Sequence, residues 1–457
     1  MRTADVVIVG GGPAGLAAAA LIHEKGIREI LLLEREKTLG GVLRQCIHDG
    51  FGLTRFQEAM SGPEYAKKFI EKVQKLGIPY LTNASVICIE PSREDGQKAA
   101  PEDDIPASAR ICDKTGASGH IPEKQLANSN ASRYKIVTYV SPSGLEKVRT
   151  RVLILAMGCR ERSRGALAIP GERPPGVFTA GVAQSYMNLY NHMPGKEVII
   201  LGSGDIGMIM ARRLTLEGAS VKAVFELLPY PSGLPRNMEQ CLNDYGIPLY
   251  LNTTVTDIHG KDRLRGVTVS EVDENQKPIP GTEREYSCDT LILSVGLIPE
   301  NELTIDAGVR MDDRTCGPLA SEYLETSIPG IFAAGNVLHV HDVVDFVSEE
   351  AELMAESAAL YLAEGGLPRG KIKVEPGNGV SQLVPQLVTG TRDFEISLRV
   401  TSPKKNLTLT VSQGGKVIVS RKIKKAIPAE MARIPVSAGS LSGEEALIVS
   451  AEEGARV

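Results

Sequence analysis

The sequence predicts an α/β protein with two parallel-sheet units, followed by a small all-β module. Two observations carry this prediction. A pattern of apolar strand, glycine-rich turn, helix, second apolar strand and terminal acid occurs twice, at Asp5–Glu34 and at Glu197–Glu226. From about Gly377 the pattern changes to short alternating runs such as FEISLRV, LTLTVS and KVIVSRKI, which are typical of half-buried strands.

The first copy of the pattern has the features of a dinucleotide site. Gly10 allows a tight turn after the strand, Gly12 lets the backbone approach a pyrophosphate, and Gly15 lets the helix pack on the strand. The unpaired N–H groups at the start of the helix bind the diphosphate, and Glu34 is expected to accept hydrogen bonds from a ribose. The position of the glycines between strand and helix makes this motif specific.

The second copy has the same spacing, because Gly202 and Glu226 are 24 residues apart, as are Gly10 and Glu34. We therefore expect two dinucleotide sites. An acid at the end of the second strand suits the two ribose hydroxyls of NAD and repels the 2′-phosphate of NADP. No pair of arginines follows in FELLPYPSG. The sequence favours NAD(H) over NADP(H) as the nicotinamide nucleotide.

Composition limits the classes of partner. The 457 residues are enough for two to four domains, and the net charge of −5 without a long basic run argues against nucleic acid or an anionic membrane. No apolar run reaches the length of a membrane span. The first strand begins within five residues of the start, which leaves no room for a signal peptide, so we expect a cytoplasmic protein.

The seven cysteines include no CxxC pair, which argues against a dithiol of neighbouring residues, a zinc knuckle and a local iron–sulfur cluster. Residues 91–133 are polar, aperiodic and rich in Pro, Gly, Ser and Ala. They predict a long, mobile surface insertion. Cys112 and His120 lie in it, and we expect neither to be catalytic, because a mobile loop does not hold a catalytic geometry.

Residues 1 to about 370 resemble the two-dinucleotide-binding-domain flavoproteins of the pyridine nucleotide–disulfide oxidoreductase superfamily. The matching segments are GGGPAG with Glu34, LILAMG at 153–158, LGSGDIG with Glu226 and GIFAAGN at 330–336. The resemblance implies two Rossmann-like three-layer domains, the second inserted in the first, with FAD in the first and NAD(P)H in the second. The expected domains are then 1–160 and 290–375 for FAD, 161–289 for the nicotinamide nucleotide, and 376–457 for the β module.

The resemblance also implies which residues hold each cofactor. Asn336 stands where the family usually has an aspartate, and its amide is still able to bond a ribityl hydroxyl. The residues implied for FAD are Gly10, Gly12, Pro13, Ala14, Gly15, Glu34, Gly41, Val86, Met157, Gly158, Gly335, Asn336, Val344 and Asp345. Those implied for NAD are Gly202, Gly204, Asp205, Ile206, Gly207, Glu226 and Gly296.

A narrower resemblance is to a subgroup that lacks the dithiol. The segments GGVLRQCIHDGFGL, GPEYA, GCRERSRG, IPGERPPGVFTAGVAQ and HVHDVVDF are similar to FAD/NAD oxidoreductases grouped with glycerol-3-phosphate dehydrogenase subunits. They are also similar to the alpha subunits of heteromeric amino-acid and opine oxidases and of hydrogen cyanide synthase. The resemblance implies hydride transfer between nicotinamide and flavin. The expected partners are a small cysteine-rich electron-transfer protein and a dehydrogenase subunit.

Two residues in the glycine-rich loop after Gly41 are candidates for a catalytic role, Cys46 and His48. A lone thiolate at Cys46 could form a sulfenic acid or a charge-transfer complex, and His48 could move a proton; the alternative for both is packing. Two further functions stay open: a single-cysteine NADH peroxidase or disulfide reductase, and a non-catalytic FAD-binding scaffold.

A cluster of two histidines and two aspartates follows the GIFAAGN segment: His339, His341, Asp342 and Asp345. Such residues could bind a metal. The surrounding valines and the position in the family favour flavin-side packing, so we expect no metal.

Overall fold

A computed structural model describes residues 1–91 and 134–453. The expected insertion at 91–133, apart from its first residue, lies outside the described residues. The helices are α1 Pro13–Glu24, α2 Gly62–Lys75, α3 Arg164–Leu167, α4 Ala180–Tyr190, α5 Asp205–Leu216, α6 Pro235–Cys241, α7 Glu302–Asp306 and α8 Val344–Glu364. Within the described part of the chain, none of them is both long and apolar enough to cross a bilayer.

The strands are interspersed with these helices through residue 333, and in the described residues beyond 371 they follow one another without α-helices. They are β1 Arg2–Val9, β2 Ile30–Leu33, β3 Tyr80–Leu81, β4 Ser85–Pro91, β5 Lys135–Ser141, β6 Gly144–Leu155, β7 Cys159–Glu161, β8 Val177–Thr179, β9 Glu197–Leu201, β10 Ser220–Phe225, β11 Leu249–Tyr250, β12 Thr253–His259, β13 Gly266–Glu271, β14 Arg284–Ser287, β15 Thr290–Leu293, β16 Leu297–Pro299, β17 Ile331–Ala333, β18 Ile372–Pro376, β19 Val380–Val384, β20 Leu387–Val388, β21 Phe394–Val400, β22 Lys404–Gln413, β23 Lys416–Ala426, β24 Ala432–Val436 and β25 Leu447–Glu453.

The chain divides into two compact units, and the second is inserted in the first, as the resemblance implies. The second unit comprises Gln45–Ile47 and Arg160–Ile298; the first comprises Met1–Arg44, His48–Cys159 and Pro299–Val457. The second unit therefore ends later than the expected residue 289. The reason is strand β15, which pairs in parallel with β9 and so completes the sheet of the second unit.

The first unit is built on a buried parallel sheet with the strand order β3-β2-β1-β6. Strand β6 is long enough to pair with two strands, one after the other, along its other edge. Its first half pairs with β5 in an antiparallel meander that continues to β4, and its last residues pair in parallel with β17. Helices α1 and α8 pack against each other through small residues, of which Ala17–Ala20 and Ala351 are buried. Alanine at these positions lets the two helices approach closely.

The second unit repeats this arrangement with the parallel order β11-β10-β9-β15-β8, and adds an antiparallel sheet of β12-β13-β14. The apolar run Val198–Leu201 is buried because both faces of the strand are covered. Helix α5 lies on the side of Ile200 and Val224, where Met208, Met210 and Leu214 are fully buried.

The expected all-β module is present and begins at β18. Two sheets, β20-β18-β25-β22-β23 and β19-β21-β24, share one apolar core that includes Ile396, Leu409 and Val449. One arginine of the module, Arg399, reaches the segment before α8. It donates hydrogen bonds to the carbonyls of Val340, Pro428 and Ala429 and pairs with Asp342, and only 11% of its side chain is exposed.

The guanidinium of Arg399 leads to a prediction about stability. Arg399→Met should lower the free energy of unfolding by about 3 kcal/mol, because it leaves a buried carboxylate and several carbonyls without their donor. Denaturant and thermal melts measure the effect. Lys424→Met, on an exposed position of β23, is the control and should change stability by less than about 0.5 kcal/mol. Equal stability of the two variants would contradict this role of Arg399.

Candidate dinucleotide sites

The first glycine turn contains two glycines that the chain itself requires. Gly10 has φ of +109°, and a Cβ there would lie 2.3 Å from the carbonyl oxygen of Ala156. A Cβ at Gly15 would lie 1.9 Å from the carbonyl oxygen of Gly10. These are backbone contacts, so any side chain would force β1, β6 and α1 apart. The roles predicted for Gly10 and Gly15, a tight turn and close helix packing, therefore have a steric basis.

Gly12 differs, because nothing in the described chain crowds it. It is the N-cap of α1 with ordinary extended dihedrals, and the nearest heavy atom to a Cβ would be the Cα of Gly41 at 3.9 Å. Gly41 faces it with φ of +57°. A glycine with no steric need inside the chain, placed at a helix start, suits the close approach of an external anion. The residues of this turn thus fit the diphosphate of FAD.

Both acids at the strand ends make the same hydrogen bonds. Glu34 Oε2 accepts the N–H of Gly11 at 2.7 Å, and its Oε1 accepts the N–H of Glu36 at 2.7 Å. Glu226 Oε2 accepts the N–H of Ser203 at 2.9 Å, and its Oε1 accepts the N–H of Leu228 at 3.0 Å. Both oxygens of Glu34 and Oε1 of Glu226 each have a second lone pair for a ribose hydroxyl.

Two serines, which the sequence did not single out, distinguish the second site. The hydroxyls of Ser203 and Ser232 both donate to Glu226 Oε2, at 2.6 and 2.8 Å. The carboxylate of Glu226 therefore has more donors around one oxygen than that of Glu34. Its Oε1, with one protein donor, is the oxygen better placed to accept from a ligand.

The other residues predicted for NAD surround the same turn. A Cβ at Gly202 would lie 2.1 Å from the carbonyl oxygen of Ser294, and one at Gly207 would meet the Ser294 side chain at 2.5 Å. Asp205 is the first residue of α5, and its carboxylate accepts from the N–H of Leu234 and the amide of Asn237. The side chain of Asp205 thus orders the loop before α6.

Ile206, Gly204 and Gly296 complete the residues predicted for the second site. Ile206 packs partly buried against the core, and Gly204 is the N-cap of α5, as Gly12 is of α1. Gly296 has φ of +100° with nothing within 4 Å of a Cβ. Its positive φ gives a reason for glycine at this strand end.

Several residues predicted for FAD lie at the ends of β6, β17 and α8. Helix α8 begins at Val344. Asp345 is buried, and its carboxylate accepts the N–H groups of Gly52, Thr54 and Arg55. This carboxylate orders the glycine-rich loop, so any contact of Asp345 with the flavin is through its main chain.

Asn336 also has protein partners for both ends of its amide. Its Nδ2 donates to Cys159 Sγ at 3.4 Å, and its Oδ1 accepts the N–H of His341 at 3.0 Å. A hydrogen bond from the Asn336 amide to a ribityl hydroxyl would therefore either be made in addition to these two bonds or replace one of them. Gly335, beside it, has φ of +75° and lies against Ala14 and Val347.

The remaining predicted FAD residues, Pro13, Val86, Met157 and Gly158, lie near the strand ends of the same sheet. Pro13 begins α1, a position where its missing N–H costs nothing. Val86 lies beside an irregularity in the β4–β5 pairing, and Gly158 has φ of +73°. These positions are compatible with the predicted contacts, which stay predictions.

Cys46 is buried, and its surroundings do not activate it. Burial raises the pKa of the Cys46 thiol to about 12, and its sulfur lies 3.8 Å from Gln184 Oε1. The neighbouring Gln45 donates to the carbonyl of Gly181. A thiol with this pKa is protonated at neutral pH and is a poor nucleophile. His48 is half-buried, with Nδ1 3.1 Å from the carbonyl oxygen of Asp49 and its ring against Phe51.

The histidines after the GIFAAGN segment meet a glutamate that the sequence did not single out. His339 Nε2 lies 2.5 Å and His341 Nε2 lies 3.4 Å from Oε2 of Glu350, which is on α8. Asp342 and Asp345, grouped with them in the sequence, have the other partners described above. Burial raises the pKa of Glu350, but the two histidines outweigh it and hold that pKa below its usual value; burial lowers the pKa of His339.

The family model "Pyridine nucleotide-disulphide oxidoreductase" matches residues 4–358. The chain belongs to this family. It is therefore an oxidoreductase with two Rossmann-type nucleotide-binding domains, and the predicted fold and enzyme class are confirmed. The family's use of FAD and a nicotinamide nucleotide agrees with the two glycine turns described above.

Individual relatives extend the comparison. The chain is 27% identical to hydrogen cyanide synthase subunit HcnB of Pseudomonas protegens over 72% of its own length and 65% of that protein. It is 23% identical to an opine oxidase subunit of Agrobacterium tumefaciens over 73% of its length and 61% of that protein. The chain thus spans less than two thirds of either relative. Its fold is similar to T. acidophilum thioredoxin reductase, with a TM-score of 0.60, 20% identity, and 79% and 100% of the two chains covered.

The contrast between Gly12 and Gly15 gives a prediction for the first site. Gly12→Val should fold normally but bind FAD at least tenfold more weakly, about 1.4 kcal/mol, because its side chain occupies space that only a ligand needs. Gly15→Ala should instead destabilise the protein with and without flavin. Thermal melts and flavin content of the two purified variants separate these effects. Full flavin content in Gly12→Val would contradict the site.

Burial of Cys46 gives a second prediction. At a pKa of about 12, roughly one thiol in ten thousand is ionised at pH 8. Alkylation of Cys46 in the folded protein, mapped by mass spectrometry, should therefore be slow throughout the range of roughly pH 6 to 9, and Cys46→Ser should keep NADH-dependent flavin reduction. Rapid labelling at neutral pH, or loss of reduction in the serine variant, would restore the single-cysteine mechanism.

Proposed function

We propose that this chain is an FAD-dependent NADH oxidoreductase that passes electrons to a partner protein, as one subunit of a heteromeric dehydrogenase of the glycerol-3-phosphate or amino-acid type. The observation that carries the proposal is that the chain has two glycine turns, each hydrogen-bonded to a glutamate at the end of the neighbouring strand. Glu34 with Gly11 and Glu226 with Ser203 form the same hydrogen-bonded arrangement in two separate sheets. Two such sites in one chain suit an electron path between two dinucleotides.

The residues that would hold FAD are those of the first turn with Glu34, Gly41 and the start of α8. When bound, FAD supplies the acceptor for a hydride from the nicotinamide. The chain's own contribution is binding and orientation. The N–H groups at the start of α1 would bind the diphosphate and Glu34 would accept from a ribose, while Asp345 keeps the loop of Gly52 to Arg55 in place.

Two properties of Cys46, its lack of a neighbouring cysteine in the sequence and its raised pKa, support transfer of the electrons to another protein. Its nearest cysteine along the sequence is Cys88, so the loop has no local dithiol. Its raised pKa works against a thiolate acceptor. Hydrogen cyanide synthase subunit HcnB and the opine oxidase relative are each by name one subunit of a larger enzyme, and similarity to them supports a partner. The β module offers an additional surface for such an assembly.

The choice of nicotinamide nucleotide is tested at Glu226. The unaltered protein should be reduced faster by NADH than by NADPH, because the carboxylate repels a 2′-phosphate. Glu226→Gln should lower this preference about tenfold, since a charge-assisted hydrogen bond is lost. The control is Glu34→Gln, which makes the matching change in the first site and should leave the ratio unaltered. Preference for NADPH in the unaltered protein would contradict the proposal.

The partner is tested by purification of the tagged chain from its source. We expect a small cysteine-rich protein and a dehydrogenase subunit to accompany it, and the reconstituted complex to reduce the flavin with the dehydrogenase substrate. Turnover of peroxide or a disulfide by the isolated chain, abolished in Cys46→Ser, would favour the single-cysteine alternative. Absence of any reduction by NADH would favour the scaffold.

A further inference from the structure

We propose that His339, His341 and Glu350 form a binding site for one divalent transition-metal ion. Their ligand atoms lie within 4.8 Å of one another, and all three side chains are nearly buried, at 3%, 2% and 11% exposure. Two imidazole nitrogens and one carboxylate oxygen are the ligand set of open zinc sites and of mononuclear iron(II) sites. The argument for this site does not rest on the proposed function.

The hydrogen bonds of His341 supply the strongest argument. Its Nδ1 lies 3.0 Å from the carbonyl oxygen of His339. A carbonyl oxygen only accepts, so Nδ1 donates to it, and the opposite ring nitrogen, Nε2, lies 3.4 Å from Glu350 Oε2. The hydrogen bond of Nδ1 therefore leaves Nε2 as the ligand atom, directed toward the same place as Glu350 Oε2.

The surroundings of the three side chains have the supporting contacts that metal ligands require. Glu350 Oε1 accepts the N–H of Gly335 at 2.7 Å, which leaves Oε2 for the ion. The bond from His341 Nδ1 to a backbone carbonyl is a common way to orient a ligating imidazole. Thus two of the three ligands are already fixed in the orientation that metal binding needs.

The distances are close to those of a tetrahedral site. With metal–ligand bonds near 2.0–2.1 Å, ligand atoms lie about 3.3 Å apart. The separation of His341 from Glu350, 3.4 Å, already matches. The separation of His339 from Glu350, 2.5 Å, is that of a hydrogen bond and has to widen by about 0.8 Å when an ion binds.

One of the three ligands, Glu350, borders a cavity. The cavity has a volume of about 690 Å³ and lies between α8 and the β module, where Glu322, Glu349 and Arg433 also line it. One carboxylate oxygen of Glu322 is buried in that cavity wall without a hydrogen-bond partner. The acidic side chains favour entry of a cation. In the sequence, the surrounding valines and the position in the family favoured packing over a metal. Glu350 lies outside the histidine cluster and joins it only in the fold.

The test uses the flavin-loaded protein after removal of any histidine tag. Metal content as isolated, measured by mass spectrometry, separates Zn²⁺ from Fe²⁺. Titration of the chelator-treated protein with Zn²⁺ should give one ion per chain and raise the thermal midpoint. His339→Gln, His341→Gln and Glu350→Gln should each bind Zn²⁺ at least tenfold more weakly. The matched control, His192→Gln on an exposed histidine, should bind as the unaltered protein does.

Two results would overturn the site. One is a lack of stoichiometric Zn²⁺ binding and of any thermal shift in the unaltered protein, which would leave the cluster as an imidazolium–carboxylate pair. The other is undiminished binding in all three variants, which would place the ion elsewhere. Melting curves of the chelated variants show that a loss of binding is not a loss of fold.

Discussion

The hydrogen bond from a strand-end carboxylate to the second residue of a glycine turn is the constraint on which both nucleotide sites depend. In each unit it joins the end of one strand to the turn that follows its parallel neighbour. Glu34 does this for Gly11, and Glu226 does it for Ser203. The bond fixes the distance between a ribose acceptor and the N–H groups of a helix start. Gly15 and Gly207, in the same two turns, let α1 and α5 each pack closely within its own unit.

Helix α8 carries a similar constraint for the rest of the first unit. Within its first turns, Asp345 orders the loop of residues 52–55 and Glu350 holds the backbone of Gly335. Shortly after, Glu352 pairs with Arg55. Glu349 pairs with Arg433 of the β module. The glycine loop, the turn at Gly335 and part of the β module are therefore all in contact with the amino-terminal half of one helix. A change in this helix should affect flavin, loop and module together.

Sequence reasoning was sufficient where the physical cause is local. The two turns, their helices and the alternating strands of the module follow from glycine placement and apolar period, and the structure has them. The later end of the second unit could not be predicted, because the parallel partners of β15 are far away in sequence. The same applies to the side-chain bonds of Asn336 with Cys159 and of Glu350 with His339. The burial that raises the pKa of Cys46 also depends on contacts with α4, which the loop sequence does not encode.

The central claim is an electron path from a nicotinamide in the second unit to a flavin in the first. Anaerobic mixing of the FAD-loaded protein with one equivalent of NADH tests it most directly, followed by the absorbance of the oxidised flavin. We expect full bleaching within the time of a catalytic turnover. An oxidised flavin that persists in the unaltered protein with excess NADH would contradict the claim.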